Sequence, residues 1–304
     1  MKILVTGVNG FVGGHLAREI NSQGFSVIGC GMDSALDPGL QNIVESYFGN
    51  CDLTSSVAAS ALPLKEVGAI INLAGLAGVG ASFQNQQKYL DINVKVHTTI
   101  AEKLLKYGST LRMVSISTGA VYDANQLMPL SESSKIANKA SPYALSKIAM
   151  EKALQEYRKK GLDIIIVRPF NHIGPGQKEG FLLPDLAKQL SESDTITAGN
   201  TETSRDYTDV RDVVKAYVLL SSTKNLSSNV YNICSGKPRK GSELLAMLAK
   251  KMGKENYKTI IDKALLRPDD PAEIYGSYEL IKKDTGWQPS IKLEKTIDDF
   301  VDAF

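Results

Sequence analysis

Near its amino terminus the chain reads Thr6-Gly-Val-Asn-Gly-Phe-Val-Gly13. This glycine-rich turn follows a short apolar run, Lys2–Thr6, and precedes a segment with helical apolar spacing, His15–Ile20. A strand, a glycine turn and a helix in that order are typical of the first βαβ unit of a dinucleotide-binding fold. The sequence therefore predicts that the chain opens with such a unit.

The three glycines of this turn, Gly7, Gly10 and Gly13, recur every three residues. In a dinucleotide site one glycine permits the tight turn, another lets backbone N–H groups approach a pyrophosphate, and another lets the helix pack closely on the strand. The partial positive charge of the helix amino terminus also favours the phosphates. The alternative is a glycine turn that binds no ligand. We expect cofactor contacts from Gly7, Asn9, Gly10, Phe11, Val12 and Gly13.

Apolar segments of strand length alternate with helical patterns along the chain. This alternation predicts an α/β fold of Rossmann type, with a doubly wound, mainly parallel sheet covered by helices on both faces. After Pro169 the alternation breaks, and we expect a smaller, discontinuous C-terminal substrate domain. The dinucleotide-binding domain would comprise residues 1–170 and about 207–234, and the substrate domain about 171–206 and 235–304. The strand candidates are Ser26–Cys30, Ala69–Leu73, Arg112–Ile116, Asp163–Val167 and Val230–Ile233, and the longest helical patterns are Asp91–Tyr107 and Tyr143–Lys160.

Composition and charge exclude several classes of protein. Hydrophobic residues make up 43% and charged residues 22% of the chain, which is the ordinary globular range and excludes wholesale disorder. The 35 Lys and Arg residues nearly balance the 33 Asp and Glu residues, so the net charge of +2 does not favour nucleic acid or an anionic membrane as a partner. The three cysteines are scattered, which predicts neither a disulfide framework nor a metal site. Aliphatic runs are too short to span a membrane and the first strand begins at Ile3, so we expect a cytoplasmic protein without a signal peptide.

The choice between NAD and NADP depends on the end of the second predicted strand. An acidic residue there would bind the ribose hydroxyls of NAD and repel the 2′-phosphate of NADP. Gly31 at the tip of the strand would allow NADP, whereas Asp33 would favour NAD if it reaches back toward the site. The sequence favours NADP, with NAD as the alternative. Asp52 and Leu53, after the next apolar stretch, are candidate adenine contacts, or else an ordinary helix start.

A second motif supplies groups for acid–base chemistry. Tyr143 and Lys147 are four positions apart on a predicted helix and therefore lie on one face. A phenol has a pKa of about 10, and a neighbouring ammonium group lowers that pKa toward the range useful for proton transfer. Thr118 follows the strand Arg112–Ile116, where a hydroxyl can bond the substrate oxygen that the tyrosine protonates. Asn93 is a candidate for holding a water or a backbone group in a proton relay, or it is simply a helix residue.

Together these motifs resemble the extended short-chain dehydrogenase/reductase family of nucleotide-sugar enzymes, over essentially the whole chain. The resemblance implies a catalytic triad of Thr118, Tyr143 and Lys147, with Tyr143 as the acid or base. It also implies cofactor contacts from Leu73, Ala74, Asn93, Tyr143, Lys147 and Pro169. The matching motifs are Thr6-Gly7-x-x-Gly10-Phe11-x-Gly13, Ser117-Thr118 with Val121-Tyr122, Tyr143-x-x-x-Lys147 and Arg168-Pro169.

The reaction within that family is narrowed by two further stretches. Sugar 4,6-dehydratases that resemble this chain carry an acidic pair just after the catalytic hydroxyl, where this chain has Gly119 and Ala120, so dehydration is not expected. The loops Arg168–Gln177 and Ser204–Asp212 resemble those members that reduce GDP-linked 4-keto-6-deoxymannose. The likeness implies reduction of the C4 ketone of a nucleotide-diphosphate sugar by NAD(P)H. The alternatives are the talose-forming reductase of opposite C4 stereochemistry, a UDP- or dTDP-sugar 4-reductase or 4-epimerase, and a non-catalytic dinucleotide sensor.

The same likeness implies the substrate contacts. In the family, the residues that match Asn171, Arg205 and Arg267 contact the nucleotide diphosphate, and the match to Asp270 approaches the nucleotide ribose. An arginine fork suits diphosphate oxygens, and its charge persists at any relevant pH. The alternative for Arg205 is a surface ion pair with a nearby aspartate. Phe181 completes the substrate contacts that we expect.

The two long helical patterns, residues 91–107 and 143–160, carry more apolar positions than one buried face requires. Family members commonly dimerise through these helices, so the resemblance implies a homodimer, with packing into the core as the alternative. The positions concerned are Ile92, Val96, Ile100, Leu104, Ala149, Met150, Ala153 and Tyr157.

Overall fold

The computed structural model of the chain describes residues 1–266 and 270–304. Its strands are β1 (Lys2–Thr6), β2 (Ser26–Cys30), β3 (Val44–Phe48), β4 (Ala69–Asn72), β5 (Arg112–Ile116), β6 (Ile164–Pro169), β7 (Asn171–Ile173), β8 (Thr195–Ala198), β9 (Ser204–Asp209), β10 (Val230–Ile233), β11 (Pro238–Lys240), β12 (Lys258–Ile261) and β13 (Glu273–Ile274). Its helices are α1 (Phe11–Ser22), α2 (Ser56–Ser60), α3 (Val79–Ser82), α4 (Gln86–Lys106), α5 (Pro142–Lys159), α6 (Leu182–Glu192), α7 (Val210–Ser222), α8 (Gly241–Lys251), α9 (Glu279–Thr285) and α10 (Leu293–Asp302). Short 3-10 turns lie at Pro38–Leu40, Gly119–Val121 and Lys263–Leu265.

One parallel sheet of seven strands organises the fold, in the order β3-β2-β1-β4-β5-β6-β10. The chain builds outward from β1 to β3 and then returns to β4 on the other side of β1. The strand order therefore reverses between β1 and β4. In open α/β sheets, ligands bind in the crevice at the carboxyl ends of the strands at such a point. The doubly wound Rossmann-type sheet predicted from the sequence is confirmed.

Helices cover both faces of this sheet. On one face α4 and α5 pack on each other over an apolar cluster that includes Leu4, Ile70 and Met150. On the other face α1 packs against α7 over a cluster that includes Ile3 and Val213. Because both faces are buried, the central strands are nearly continuous apolar runs, as expected for a parallel sheet.

The apolar side chains of α4 and α5 that predicted a dimer are used largely inside the chain. The four most buried of the eight are at most 5% exposed and pack against the sheet, because the two helices turn these sides toward it. The large apolar side chains that these helices do expose are Leu90, 38% exposed, and Leu145, 42% exposed. The four buried positions are Val96, Ile100, Leu104 and Met150.

A smaller lobe follows Pro169. Strand β9 lies at the centre of a second sheet, parallel to β7 and β13 and antiparallel to β11, while β8 and β12 form a separate parallel pair. Helices α6, α8 and α10 share an apolar cluster in this lobe. Between these segments the chain returns to the large sheet through α7 and β10. The boundary predicted near residue 207 falls inside β9, because Thr208 and Asp209 still pair with β7.

Seven strands were not expected from the sequence, namely β3, β7, β8, β9, β11, β12 and β13. Strand β3, at the edge of the large sheet, carries the polar residues Glu45 and Ser46, so no apolar run marks it. Strand β7 lies within the glycine- and proline-rich stretch predicted as a loop, and β12 exposes all four of its side chains. Short strands at edges are formed by backbone pairing, which leaves a weak side-chain pattern.

Candidate active site

The glycine turn after β1 leaves no space for side chains. Gly7 has a φ of +68°, a conformation that L side chains rarely adopt. A Cβ built on Gly13 would lie 2.2 Å from the carbonyl oxygen of Gly7, so only glycine lets α1 approach β1 this closely. Helix α1 begins just after Gly10, with no capping side chain among the described residues. Its first N–H groups are therefore free to bind an anion such as a pyrophosphate.

The loop after β4 is held against the end of β1 by hydrogen bonds of Thr6. The hydroxyl of Thr6 donates to Asn72 Oδ1 over 2.6 Å and accepts from the backbone N–H of Ala74 over 2.9 Å. A Cβ on Gly75 would lie 2.8 Å from Asn93 Oδ1 and 3.6 Å from Lys147 Nζ. Ala74 and its half-buried neighbour Leu73 are thus placed between the glycine turn and the predicted catalytic lysine, at the switch point of the sheet.

Asn93, predicted to hold a water or a backbone group, holds the backbone of this loop. Its Oδ1 accepts from the N–H of Leu76 over 2.7 Å, and its Nδ2 donates to the carbonyl of Leu76 over 3.1 Å. The same Nδ2 donates to Ser146 Oγ on α5 over 2.9 Å. Asn93 therefore fixes the loop after β4 relative to the helix that carries Tyr143 and Lys147.

Both residues that bear on the cofactor ribose lie beside the glycine turn. Asn9 Nδ2 donates to Asp33 Oδ2 over 3.0 Å, so the carboxylate reaches back to the turn. Gly31 directly follows β2, and a Cβ on it would lie 3.0 Å from the hydroxyl of Tyr47, which in turn donates to the carbonyl of Asp33 over 2.8 Å. Gly31 is thus at the strand tip and Asp33 faces the site.

The two candidate adenine contacts occupy a turn before α2. Asp52 is exposed, and its Oδ1 accepts from the backbone N–H and the hydroxyl of Thr54 over 2.9 and 2.7 Å. These hydrogen bonds lower the pKa of Asp52. Leu53 is buried in the cluster beneath α4. Pro169, another predicted contact, is buried at the end of β6.

The predicted catalytic residues converge at the carboxyl ends of β5 and β6. Ser141 caps α5 by accepting from the N–H of Ala144 over 3.2 Å, which places Tyr143 and Lys147 in the first turns of the helix. Thr118, buried just beyond β5, hydrogen bonds through its side chain with Tyr143. Lys147 Nζ donates to the carbonyl of Ile116 at the end of β5 over 2.8 Å.

Burial shifts the pKa of both Tyr143 and Lys147. It raises the pKa of Tyr143 to about 12, against the hydrogen bond with Thr118, which acts to lower it. This direction is opposite to the one expected from a neighbouring ammonium, because Lys147 is directed at the carbonyl of Ile116. Burial lowers the pKa of Lys147 to about 8, while the charge of Glu151 acts to raise it. Near neutral pH Tyr143 is therefore a protonated acid beside a cationic lysine.

The position directly after Thr118 cannot hold an acidic side chain. A Cβ on Gly119 would lie 2.9 Å from the ring of Phe170, which also packs on Tyr122. Ala120 is exposed and carries no ionisable group. The structure thus gives a steric reason for the glycine.

Two predicted substrate contacts are paired in the smaller lobe. Arg205 Nη2 donates to Asp270 Oδ1 over 2.5 Å, rather than to either neighbouring aspartate of β9. Asn171 is exposed on β7, the strand beside β9, and Phe181 is 43% exposed just before α6. Arg267 lies outside the described residues.

Strand β7 and the loop after it join the smaller lobe to the glycine turn. The ring of His172 stacks on Phe11, with centroids 6.3 Å apart, and His15 Nε2 lies 2.9 Å from the carbonyl oxygen of Pro175. Phe11 thus contacts both histidines. The predicted cofactor and substrate regions are therefore in direct contact.

One pair of buried charges near the catalytic helix was not predicted from the sequence. Glu151, one turn beyond Lys147, forms an ion pair with Arg168 at the end of β6. A signal was present, because an arginine that ends an aliphatic strand needs a partner when buried. Its partner is 17 positions away and is identified only by the fold.

Within residues 1–266 and 270–304, no group of three or more His, Cys, Asp or Glu side chains is placed to hold a metal ion. None of the helices in the same residues is long and apolar enough to cross a membrane.

Comparison with known proteins identifies the family. The model of the NAD dependent epimerase/dehydratase family matches residues 3–234. The GDP-6-deoxy-D-mannose reductase of Pseudomonas aeruginosa is 31% identical over 97% of this chain and 94% of its own length. The UDP-glucuronate 4-epimerase of Thermodesulfobacterium geofontis is 28% identical over 96% of this chain and 92% of its own. The structure of RMD from Pseudomonas aeruginosa complexed with NADPH superposes with a TM-score of 0.81 at 28% identity, over 99% of this chain and 98% of that one.

The chain belongs to the NAD-dependent epimerase/dehydratase family, the extended short-chain dehydrogenases/reductases. Membership supports NAD(P) as the cofactor and agrees with the uncapped amino terminus of α1 at the glycine turn, which suits a pyrophosphate. It also supports a nucleotide sugar as the substrate.

Proposed function

We propose that this protein reduces the C4 ketone of a nucleotide-linked 4-keto-6-deoxyhexose, converting GDP-4-keto-6-deoxy-D-mannose to GDP-6-deoxy-D-mannose. The observation that carries the proposal is the meeting of Thr118, Tyr143 and Lys147 beside a position that holds no second acid. One proton donor suffices for ketone reduction, whereas dehydration needs further acid–base groups. The reductase from Pseudomonas aeruginosa supports the choice of substrate.

The mechanism assigns each residue one task. Gly7–Gly13, Ala74 and Pro169 would hold the reduced nicotinamide cofactor, which would supply a hydride to C4. Tyr143 donates its phenolic proton to the carbonyl oxygen, so the ketone gains one hydride and one proton and becomes an alcohol. Thr118 donates a hydrogen bond to the same oxygen, and the charge of Lys147 stabilises the phenolate that Tyr143 becomes.

The substrate lobe would bind the nucleotide diphosphate. Arg205 uses one nitrogen for Asp270 and another for the carbonyl of Ser204, and the remaining donors of its guanidinium fork suit phosphate oxygens. Asp270 would then position Arg205 and approach the nucleotide ribose. Asn171, Phe181 and Arg267 complete the proposed contacts.

For the cofactor we propose a preference for NADH over NADPH. The sequence favoured NADPH provided that Asp33 did not reach the ribose, but its carboxylate is bonded to Asn9 of the glycine turn. The stretches Gly7–Gly13 and Gly31–Gly39 contain no Lys or Arg to pair with a 2′-phosphate. The nearby cation, Arg18, is directed at the carbonyl oxygens of Gly14 and Gly39. A carboxylate that faces the turn favours the ribose hydroxyls of NADH.

A 4-epimerase is the second candidate. The contact between Asp33 and Asn9 suits a tightly retained NAD, which an epimerase needs, and the relative from Thermodesulfobacterium geofontis is an epimerase. The two candidates differ in whether the hydride stays on the product.

A deuterium experiment separates them. The protein is incubated with cofactor deuterated on the transferring face and with GDP-4-keto-6-deoxy-D-mannose, and the product is examined by NMR. A reductase places one deuterium on C4 for each cofactor oxidised, and the same spectrum distinguishes the mannose from the talose product. Epimerisation of a UDP-sugar with no net oxidation of the cofactor would favour the second candidate.

We also propose a homodimer formed through the outer faces of α4 and α5. Leu90 and Leu145, which these helices expose, support it. Size-exclusion chromatography with light scattering tests the dimer. We expect twice the chain mass of 32.9 kDa, and the mass of a single chain would contradict the proposal.

A further inference from the structure

The carboxylate of Glu151 connects three elements behind the catalytic residues. Glu151 is 4% exposed and follows Lys147 by one turn of α5. Its Oε1 accepts from Ser117 Oγ over 2.5 Å and from Arg168 Nε over 2.9 Å, and its Oε2 accepts from Arg168 Nη2 over 2.5 Å. Because Ser117 directly precedes Thr118, this carboxylate binds the end of β5 and the end of β6 to the catalytic helix.

Arg168 is buried as deeply as Glu151, and each nitrogen of its guanidinium group donates a hydrogen bond. Its Nη1 donates to the hydroxyl of Tyr122 over 3.0 Å, and its guanidinium lies 4.8 Å from the centroid of the same ring. The hydroxyl of Tyr122 donates in turn to Asn232 Oδ1 on β10 over 2.7 Å. The network therefore spans α5, β5, β6 and β10, and it positions the guanidinium opposite Glu151.

Glu151 is the charged group that acts on Lys147, and it raises the lysine pKa against the larger effect of burial. Burial lowers the pKa of His97 well below its ordinary value, so that histidine is neutral at pH 7. Tyr143 and Tyr122, each with a pKa raised by burial to about 12, are neutral as well. The loop Leu73–Leu76 has no ionisable side chain. The titratable and charged groups near Lys147 on the elements packed around it include Tyr143 and Glu151 on α5, Tyr89 and His97 on α4, Tyr122 and Glu132 after β5, and Arg168 on β6.

We propose that Glu151 and Arg168 are positioning residues whose opposed charges set the protonation of Lys147 and lock the strand end that carries Thr118 against α5. The inference rests on the proposed function for the roles of Lys147, Tyr143 and Thr118.

Stability alone does not account for the pair. Buried ion pairs stabilise proteins weakly, and well-packed apolar pairs often serve as well or better. An apolar pair, however, exerts no charge on its surroundings. Glu151 favours the ammonium form of Lys147, and Arg168 donates to both oxygens of that carboxylate.

Opposite substitutions test this inference. Glu151→Gln removes the negative charge and is expected to lower the pKa of Lys147 by about one unit, whereas Arg168→Gln leaves the carboxylate uncompensated and raises it by about one unit. The pKa is read directly from the NMR titration of carbon-13-labelled lysine, with the Lys147 signal assigned by its absence in Lys147→Arg. This readout needs no sugar substrate.

Three further variants separate charge from folding. Glu151→Gln combined with Arg168→Gln removes both charges, which avoids an unpaired buried ion if the single variant fails to fold. Arg168→Lys keeps the positive charge and is expected to leave the Lys147 titration unchanged. Glu102→Gln, on the exposed pair with Tyr157, is the matched control and is expected to change neither titration nor turnover.

Turnover supplies the second readout. Midway between the two Lys147 pKa values, kcat of Glu151→Gln is expected to fall about threefold, and above both values about tenfold, while KM for the cofactor stays within about twofold. Shifts in opposite directions support the inference. Shifts in the same direction, or none in folded variants, overturn it. If the shifts occur but the wild-type protein reduces no 4-keto sugar, the inference about Lys147 stands and the proposed function fails.

Discussion

Arg205 and Asp270 lie 65 positions apart in the sequence, yet the guanidinium Nη2 of one donates to the carboxylate Oδ1 of the other over 2.5 Å. Both side chains are more than four-fifths buried. One was expected to contact the diphosphate and the other the ribose of the same nucleotide. Their pairing means that a single substitution affects both contacts.

Arg205→Gln is accordingly expected to weaken substrate binding. Loss of a charge-assisted hydrogen bond costs about 1.5–3 kcal/mol, so KM for the nucleotide sugar should rise about 10- to 150-fold with little change in kcat. Steady-state kinetics check this. Lys159→Gln, which removes an exposed pair with Glu156, is the control and should leave KM unchanged. An equal rise in both variants would contradict the assignment.

Asp33→Ser is expected to shift the cofactor preference toward NADPH. The substitution removes the carboxylate that Asn9 holds beside the glycine turn, and with it the repulsion of a 2′-phosphate. The ratio of kcat/KM for NADPH to that for NADH should rise about tenfold or more, equivalent to about 1.4 kcal/mol. Glu255→Gln, at an exposed position, should leave the ratio unchanged. A constant ratio in Asp33→Ser would mean that the carboxylate does not face the ribose.

Gly13→Ala and Gly14→Ala form a matched pair in α1. The new Cβ at Gly13 would meet the carbonyl oxygen of Gly7 at 2.2 Å, whereas at Gly14 its nearest neighbour is the flexible end of Arg18 at 3.3 Å. Gly13→Ala should lower the free energy of unfolding by about 1–3 kcal/mol and abolish cofactor binding. Gly14→Ala should bind cofactor normally and gain up to about 1 kcal/mol from helix propensity. Thermal unfolding and cofactor fluorescence report both, and normal binding by Gly13→Ala would exclude the proposed cradle.

The pH dependence of kcat should show a single limb in the accessible range. Because Lys147 has a pKa of about 8 and acts as a cation, turnover should be level at lower pH and fall as the pH rises through about 8. Tyr143, with a pKa of about 12, remains protonated throughout that range. A rate that increases through pH 8 would show instead that a deprotonated group drives catalysis.

Tyr143→Phe is expected to reduce kcat by about 10²- to 10⁴-fold, the usual contribution of a general acid. Cofactor binding should be retained, because the ring and its packing against Tyr89 are kept. Rapid-mixing kinetics and cofactor fluorescence measure the two properties separately. Near-wild-type turnover would remove Tyr143 from the mechanism.

The local part of this fold could be predicted from the sequence. Strand β1, the glycine turn and α1 follow one another in the chain. The glycines at positions 7 and 13 already indicate that a side chain is not tolerated there. The spacing of Tyr143 and Lys147 likewise needed only helix geometry. Edge strand β3 could not be found this way, because its polar side chains give no apolar alternation.

Contacts between segments that are distant in the chain could not be predicted from the sequence. The partner of Arg168 depends on how β6 lies against α5, and the contact of Asp33 with Asn9 depends on the path of the loop after β2. The pKa of Tyr143 is also raised, opposite to expectation, since burial outweighs the hydrogen bond with Thr118 and Lys147 is directed at the carbonyl of Ile116. In each case the missing information is a distance that only the folded chain defines.

The most direct test of the proposed function is oxidation of the reduced nicotinamide, followed at its near-ultraviolet absorbance band, with freshly prepared GDP-4-keto-6-deoxy-D-mannose. Parallel samples contain the dTDP- and UDP-linked 4-keto-6-deoxy sugars, each with NADH and with NADPH. Rapid oxidation with the GDP sugar, faster with NADH, is the expected result. No oxidation with any of the three sugars, by protein that binds cofactor, would contradict the proposed reduction.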